Sequence, residues 1–246
     1  MNASPAPHRV VRRVVTADGS ATLYSERYAQ PFASVRGALS EARHVFLAGS
    51  GVEARLAAGK HVRVLEVGFG TGLNFFITAQ ACAGQPQARL EYTALEHTLL
   101  DGETLTQLGY GALVDHELVT AYLEWRAALG VDPAPGSYVF ERGRVRLELL
   151  LGDAAAQPLP LLDVGVAAVY HDAFSPVVNP ELWTEAFLAR LAGALGAGGV
   201  IVSYCVQGAV RRRLEALGLV VSKRPGPPGG KREVLVARRA EPGPGA

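Results

Sequence analysis

Short apolar runs recur along the chain at intervals wide enough to hold a helix between them. From His61 onward they fall at Val62–Val67, Leu90–Leu95, Val145–Leu151, Val164–Tyr170 and Val200–Tyr204, each rich in β-branched residues or Leu. Several are separated by segments of helical length, Leu73–Cys82, Glu181–Leu195 and Gln207–Leu217, while Asp115–Gly130 carries Leu118, Tyr122 and Trp125 at four- and three-residue steps. Strands alternating with helices predict βαβ units and a mainly parallel sheet. Their lack of polar alternation fits a sheet covered on both faces.

The rhythm changes at both ends. Leu219–Lys223 and Val234–Arg238 are joined by residues 224–233, which open with the loop Arg224-Pro-Gly-Pro-Pro-Gly-Gly230 and leave no room for a crossover helix, so this pair is predicted antiparallel. Tyr138–Leu151, with Glu141-Arg-Gly-Arg144 at its middle, predicts another hairpin that leads into a core strand. Ahead of the rhythmic part, Leu39–Leu56 has helical spacing interrupted by Gly49-Ser-Gly51, which predicts two short helices. The expected organisation is an N-terminal extension over residues 1–60 contributing to the substrate side, an α/β core over 61–240, and a disordered tail over 241–246. The first dozen residues are also expected to fray.

Composition narrows the class. With 246 residues, 49% hydrophobic and 19% charged, the chain is long enough for one well-buried domain and short for two. Its apolar runs are too short to span a bilayer, and the basic N-terminus is not followed by a signal-like apolar stretch, so no membrane association and a cytoplasmic location are expected. Cys82 and Cys205 stand apart in apolar segments and no His/Cys cluster has ligand spacing, so both are expected to be reduced core residues and no metal is expected. The net charge of +1 conceals a basic region from Arg211 to Arg239, where Glu215 and Glu233 alone oppose Arg211, Arg212, Arg213, Lys223, Arg224, Lys231, Arg232, Arg238 and Arg239. Such a region suits phosphates, or is simply a solvated face.

The chemistry concentrates at the ends of the predicted strands. Val62-Arg-Val-Leu-Glu66 runs into Gly68-Phe-Gly70-Thr-Gly72 and then into a helix. Glycines allow a tight turn and close approach of a ligand, and the free amides of a helix N-terminus favour an electronegative group. A dinucleotide fingerprint would need glycine at position 73, which is Leu73. The 68, 70, 72 spacing with Glu66 before it favours S-adenosylmethionine, whose amino-acid end can use the loop backbone and water anchored by the acid. Glu96, ending the second strand, is placed for both ribose hydroxyls, or is a solvated strand-end charge. Asp153 and the amide of Ala154, at Leu151-Gly-Asp-Ala154, are placed for adenine, or Asp153 caps a helix. Asp172, in His171-Asp-Ala-Phe-Ser-Pro176, should face the methyl donor and orient an amine nucleophile, with Phe174 and Pro176 as an apolar wall; its alternative is a loop cap. His171 reads as a packed histidine.

Together Glu66-Val-Gly-Phe-Gly-Thr-Gly-Leu-Asn-Phe75, Gly152-Asp-Ala154, Asp172-Ala-Phe-Ser-Pro176, Asn179-Pro-Glu-Leu-Trp183 and Lys231-Arg-Glu233 resemble the MnmC-type tRNA methyltransferases. Leu23-Tyr-Ser25, Gly37-Ala-Leu-Ser-Glu41 and His44-Val-Phe46 resemble the same family's N-terminal signature; a departure is Ala33, where relatives often carry His. The resemblance spans roughly Thr22 to Arg238. It implies a class I, Rossmann-like methyltransferase fold of seven strands, mostly parallel and ending in an antiparallel hairpin. It implies S-adenosylmethionine-dependent methylation of the 5-aminomethyl group of wobble uridine, reached in the tRNA anticodon loop, by the methyltransferase form without the flavin-dependent oxidase domain. It adds Asn74 to the cofactor-binding set and makes Asp172 the residue that orients the amine and takes its proton. Tyr24, Tyr28, Phe32 and Phe174 become candidates for stacking on the base, and Arg212, Lys231 and Arg232 for contacting phosphates. A small-molecule amine methyltransferase on the same scaffold is the first alternative. A non-catalytic RNA-binding subunit is the second, opposed by the intact Glu66, Glu96, Asp153 and Asp172.

Overall fold

The computed structural model describes residues 11–159 and 165–241. The expected tail from residue 242, and the part of the expected N-terminal fraying that falls before residue 11, lie outside these residues. A small antiparallel sheet comes first, with β1 (Val11–Val15), β2 (Ala21–Ser25) and β3 (Gln30–Pro31) in that order. Helix α1 (Ala38–Glu41) continues without a break as a π-helix over Ala42–Ala48 and is followed by α2 (Val52–Ala57). These are the two predicted helices, but the preceding sheet was not legible, since Val-Arg-Arg-Val-Val carries no buried face.

The core alternates as predicted: β4 (His61–Val67), α3 (Leu73–Ala83), β5 (Arg89–Glu96), α4 (Gly102–Thr106), α5 (His116–Ala128), β6 (Gly136–Arg142), β7 (Val145–Leu151), β8 (Val166–His171), α6 (Glu185–Ala194), β9 (Leu195–Ser203), α7 (Gly208–Ala216), β10 (Val220–Pro225) and β11 (Glu233–Arg238). Among the described residues they form a sheet of eight strands, ordered β10-β11-β9-β8-β4-β5-β7-β6. The expected seven is corrected by β6, the outer arm of the 136–151 hairpin, which pairs antiparallel with β7 along its whole length. Strands β7, β5, β4, β8 and β9 run parallel, and β11 is antiparallel to both β9 and β10, giving the predicted terminal hairpin. Val164, expected to start β8, lies outside the described residues.

Burial follows the two-residue period of a strand. In β4, Val62 and Val64 pack on one face with Phe75 and Tyr92, whereas Leu65 and Val67 pack on the other with Trp183, Leu188 and Leu214. Both faces are therefore covered, and each buried Val or Leu side chain stabilises the fold by about 1.5–3 kcal/mol. Chain order reverses at β4: β5 and β7 lie to one side, while β8 and β9 lie to the other. Open α/β sheets bind ligands beyond the strand carboxyl ends at such a switch point. Here those ends are Glu66-Val67 and His171-Asp172.

Candidate active site

A cavity of about 610 Å³ opens at this switch point. Its floor is the glycine loop after β4 and the segment after β8, which approach closely. Gly68 has φ +86°, and a Cβ there would sit 2.8 Å from the Asp172 carbonyl oxygen, so no larger residue fits. Gly72, at φ +76°, is the left-handed residue that starts α3.

Glu66 lies beneath the floor, 0% exposed. Its Oε1 accepts a hydrogen bond from Asn74 Nδ2 at 2.8 Å, while Oε2 is buried with no hydrogen-bond partner. Tyr92 brings its hydroxyl toward this carboxylate without closing a full hydrogen bond. Burial pushes the Glu66 carboxyl up to about 8; Asn74 and Tyr92 work against the shift, and nearby Glu96 adds to it. Asn74 Nδ2 also donates to Asp172 Oδ2 at 2.8 Å, so one amide bridges the acids that end β4 and β8. Asp172 is half-buried. Burial holds its carboxyl well above the usual carboxylate range, Glu41 and Glu66 add to this, and Asn74 and Lys231 oppose it.

Glu96 lines the cavity and organises the backbone around it. Its Oε2 accepts from Gly70 N at 2.8 Å, and its Oε1 from His97 N and Thr98 N at 2.7 and 3.1 Å. Asp153 and Ala154 also line the cavity. The Asp153 carboxylate caps its own turn through Ala155 N at 2.8 Å, as in the capping alternative, and remains exposed. Arg190, which the sequence did not single out, fixes this turn by donating to the carbonyls of Ala154, Ala155 and Gln157.

The opposite wall comes from the N-terminal part. Phe174 stacks on Tyr28 with centroids 4.4 Å apart and meets Phe32 edge-on at 5.2 Å. Gln30 clamps this wall to the segment after β8, its Nε2 donating to Ser175 Oγ at 2.7 Å and its Oε1 accepting from Ser175 N at 3.3 Å. Trp183 Nε1 donates to the Phe174 carbonyl at 2.8 Å. His171 is packed, stacked on Trp183 at 4.0 Å, and burial pushes it down to about 4, so it is neutral at physiological pH.

Not every predicted residue comes together. Gly68, Gly70, Asn74, Glu96, Asp153, Ala154, Asp172, Phe174 and Lys231 line the cavity; Glu66 and Gly72 support it from behind. Tyr24 is not part of the lining; its ring is covered by the Arg12 guanidinium at 4.6 Å. Pro176 turns the chain just outside the lining, and Arg212 and Arg232 are exposed elsewhere, on α7 and on the β10–β11 loop. Lys231 is exposed as well, but differs from both arginines in lining the cavity, with its ammonium over the Tyr204 ring. Glu41, missed as a site residue although it belongs to the Gly37–Glu41 motif, is 6% exposed, and its Oε1 accepts from Ser34 N at 2.9 Å. Burial pushes its carboxyl up, against Ser34 and Lys231.

Comparison with known proteins gives a consistent set of relatives. A family described as S-adenosyl-L-methionine-dependent methyltransferase matches residues 126–240. The chain is 38% identical over 232 residues to the tRNA 5-methylaminomethyl-2-thiouridine biosynthesis bifunctional protein MnmC of Cupriavidus metallidurans, covering 92% of this chain and 34% of that protein. It is 39% identical over 222 residues to the protein of the same name from Ralstonia nicotianae, covering 88% and 33%. The chain thus spans about a third of the length of these curated relatives. Among solved structures it resembles MnmC2 from Aquifex aeolicus, with a TM-score of 0.74 and 29% identity over 95% of this chain and 72% of that one. Among the described residues, no helix is long and apolar enough to cross a membrane.

Proposed function

The chain belongs to the S-adenosyl-L-methionine-dependent methyltransferases of the MnmC type, and from that premise we propose that it methylates the 5-aminomethyl group of the tRNA wobble uridine, converting 5-aminomethyl-2-thiouridine to 5-methylaminomethyl-2-thiouridine. The relatives' names carry the nucleoside. The observation that carries the chemistry is the Asn74 bridge, which fixes the Asp172 carboxylate at the mouth of the switch point.

The residues present suit the cofactor. Glu66 Oε2 is a buried oxygen without a hydrogen-bond partner beneath the glycine loop, and such an atom calls for a polar or cationic partner nearby. Gly68, Gly70 and Asn74 would hold the amino-acid end above it, Glu96 the ribose, and Asp153 with the Ala154 amide the adenine. When bound, S-adenosyl-L-methionine supplies an electrophilic methyl group on a sulfonium.

The protein's own part is positioning and proton transfer. Asp172 accepts a hydrogen bond from the substrate amine, aims its lone pair, and takes the proton that leaves the nitrogen. A carboxyl held above its usual range is a better proton acceptor than an ordinary aspartate. Phe174, backed by Tyr28 and Phe32, forms the apolar wall on which a splayed base stacks. The N-terminal extension, residues 1–60, supplies this substrate side through Tyr28, Gln30, Phe32 and Glu41. A tRNA substrate also supports a cytoplasmic location.

The test is Asp172→Asn, which keeps the shape and removes the base. Its kcat on tRNA bearing 5-aminomethyluridine should fall roughly 10²- to 10⁴-fold, with S-adenosyl-L-methionine affinity retained by calorimetry. Unchanged turnover would remove Asp172 from the reaction.

A further inference from the structure

Lys231 is on the β10–β11 loop, and its surroundings are not those of a phosphate contact. Its Nζ lies 3.8 Å from the centroid of the Tyr204 ring. The Tyr204 hydroxyl in turn donates to the Ala173 carbonyl at 2.8 Å, one residue from Asp172. Burial lowers the Lys231 ammonium from its ordinary range, and Glu41, Cys205 and Asp172 oppose that shift. Among the described residues, Lys231 Nζ takes part in no hydrogen bond or ion pair, and the residue itself is exposed. The loop is tied down at its base. His44 Nε2 meets the Pro225 carbonyl at 2.9 Å, and Gly226 N donates to the Arg232 carbonyl at 3.0 Å. Lys231 therefore presents a donor, without an acceptor of its own, to the cavity corner that holds Asp172.

The chemistry of that corner follows from the proposed substrate, on which this inference rests. In a 5-aminomethyl pyrimidine the aminomethyl group is carried by C5, the ring carbon next to C4. A base stacked on Phe174 with its amine at Asp172 brings its C4 substituent to the same corner. In uridine that substituent is a carbonyl oxygen, an acceptor; in cytidine it is an amino group, a donor. An ammonium can only donate. We propose that Lys231 is a specificity-determining residue that donates to the C4 carbonyl of the target base and so selects uridine over cytidine.

The test compares two tRNAs that are identical except for 5-aminomethyluridine or 5-aminomethylcytidine at the wobble position. Wild-type protein should prefer the uridine substrate in kcat/KM. Lys231→Met should lower kcat/KM on uridine by roughly 10- to 100-fold, the value of one hydrogen bond to a charged group, and leave cytidine no worse, so that the preference collapses. Lys231→Arg keeps a donor and should keep the preference. Calorimetric S-adenosyl-L-methionine binding by each variant verifies that it is folded. An equal loss on both substrates, with a salt dependence shallower by about one counterion, would show a phosphate contact and overturn the assignment. Preference retained in Lys231→Met would overturn it as well. Wild-type protein that methylates neither tRNA would overturn the wobble-uridine proposal itself, and this inference with it.

Discussion

At the residue scale, the site depends on acids that are not in their solution state. Glu66 has an ordinary value of 4.5 and is held at about 8, so in the ligand-free protein it carries a proton at neutral pH. A carboxyl raised on folding contributes stability that is fully present below 4.5 and lost as the pH rises through about 8. The ligand-free fold should therefore weaken across that window, and Glu66→Gln should flatten the dependence in thermal melts at a series of pH values. A cationic ligand above Asn74 favours the ionised carboxylate, so S-adenosyl-L-methionine binding near pH 7 should release protons. Calorimetry in buffers of different ionisation enthalpy measures this; binding with no proton release would show that Glu66 stays protonated. The acid itself was legible, because an acid before Gly-x-Gly-x-Gly has a recognisable place. The bridge was not. Asn74 stands eight residues after Glu66 and 98 before Asp172, and only the approach of β4 to β8 brings its amide between them.

At the element scale, runs of apolar residues marked the core strands and helices because burial on both faces leaves a continuous signal. The same rule explains the misses. The strands β1 and β3 are partly exposed and short, and the first half of β9, Gly196-Ala-Gly-Gly199, has no apolar run to announce it. The N-terminal sheet matters nonetheless, because β3 carries Gln30, whose side chain makes two hydrogen bonds to Ser175. Gln30→Ala should free the Tyr28–Phe32 wall from the Asp172 segment. The expected result is a KM for tRNA raised roughly 3- to 10-fold, in keeping with the net worth of one or two hydrogen bonds, with S-adenosyl-L-methionine affinity unchanged. Weakened cofactor binding instead would mean that the clamp supports the glycine loop. The π-helix that follows Glu41 is another element without a sequence signal; such widened turns collect at functional sites.

At the scale of the whole molecule, the order of strands accounts for the placement of the chemistry. Because the chain crosses from β7 back past β4 to β8, the glycine loop and Asp172 end side by side, and the cavity forms between them. The pattern of elements predicted that sheet, with β6 as the added strand. The basic region around α7 suggested where phosphates would lie, but charge along the sequence does not report direction. Lys231, Arg212 and Arg232 are all exposed, but Lys231 lines the cavity while the two arginines do not. The central claim joins the cofactor loop, Asp172 and the wobble uridine in one reaction. Its most direct test is incubation of the protein with S-adenosyl-L-methionine and tRNA carrying 5-aminomethyl-2-thiouridine, followed by nucleoside mass spectrometry. Loss of that nucleoside with matching appearance of 5-methylaminomethyl-2-thiouridine is the predicted result; cofactor bound and every tRNA nucleoside unchanged would contradict it.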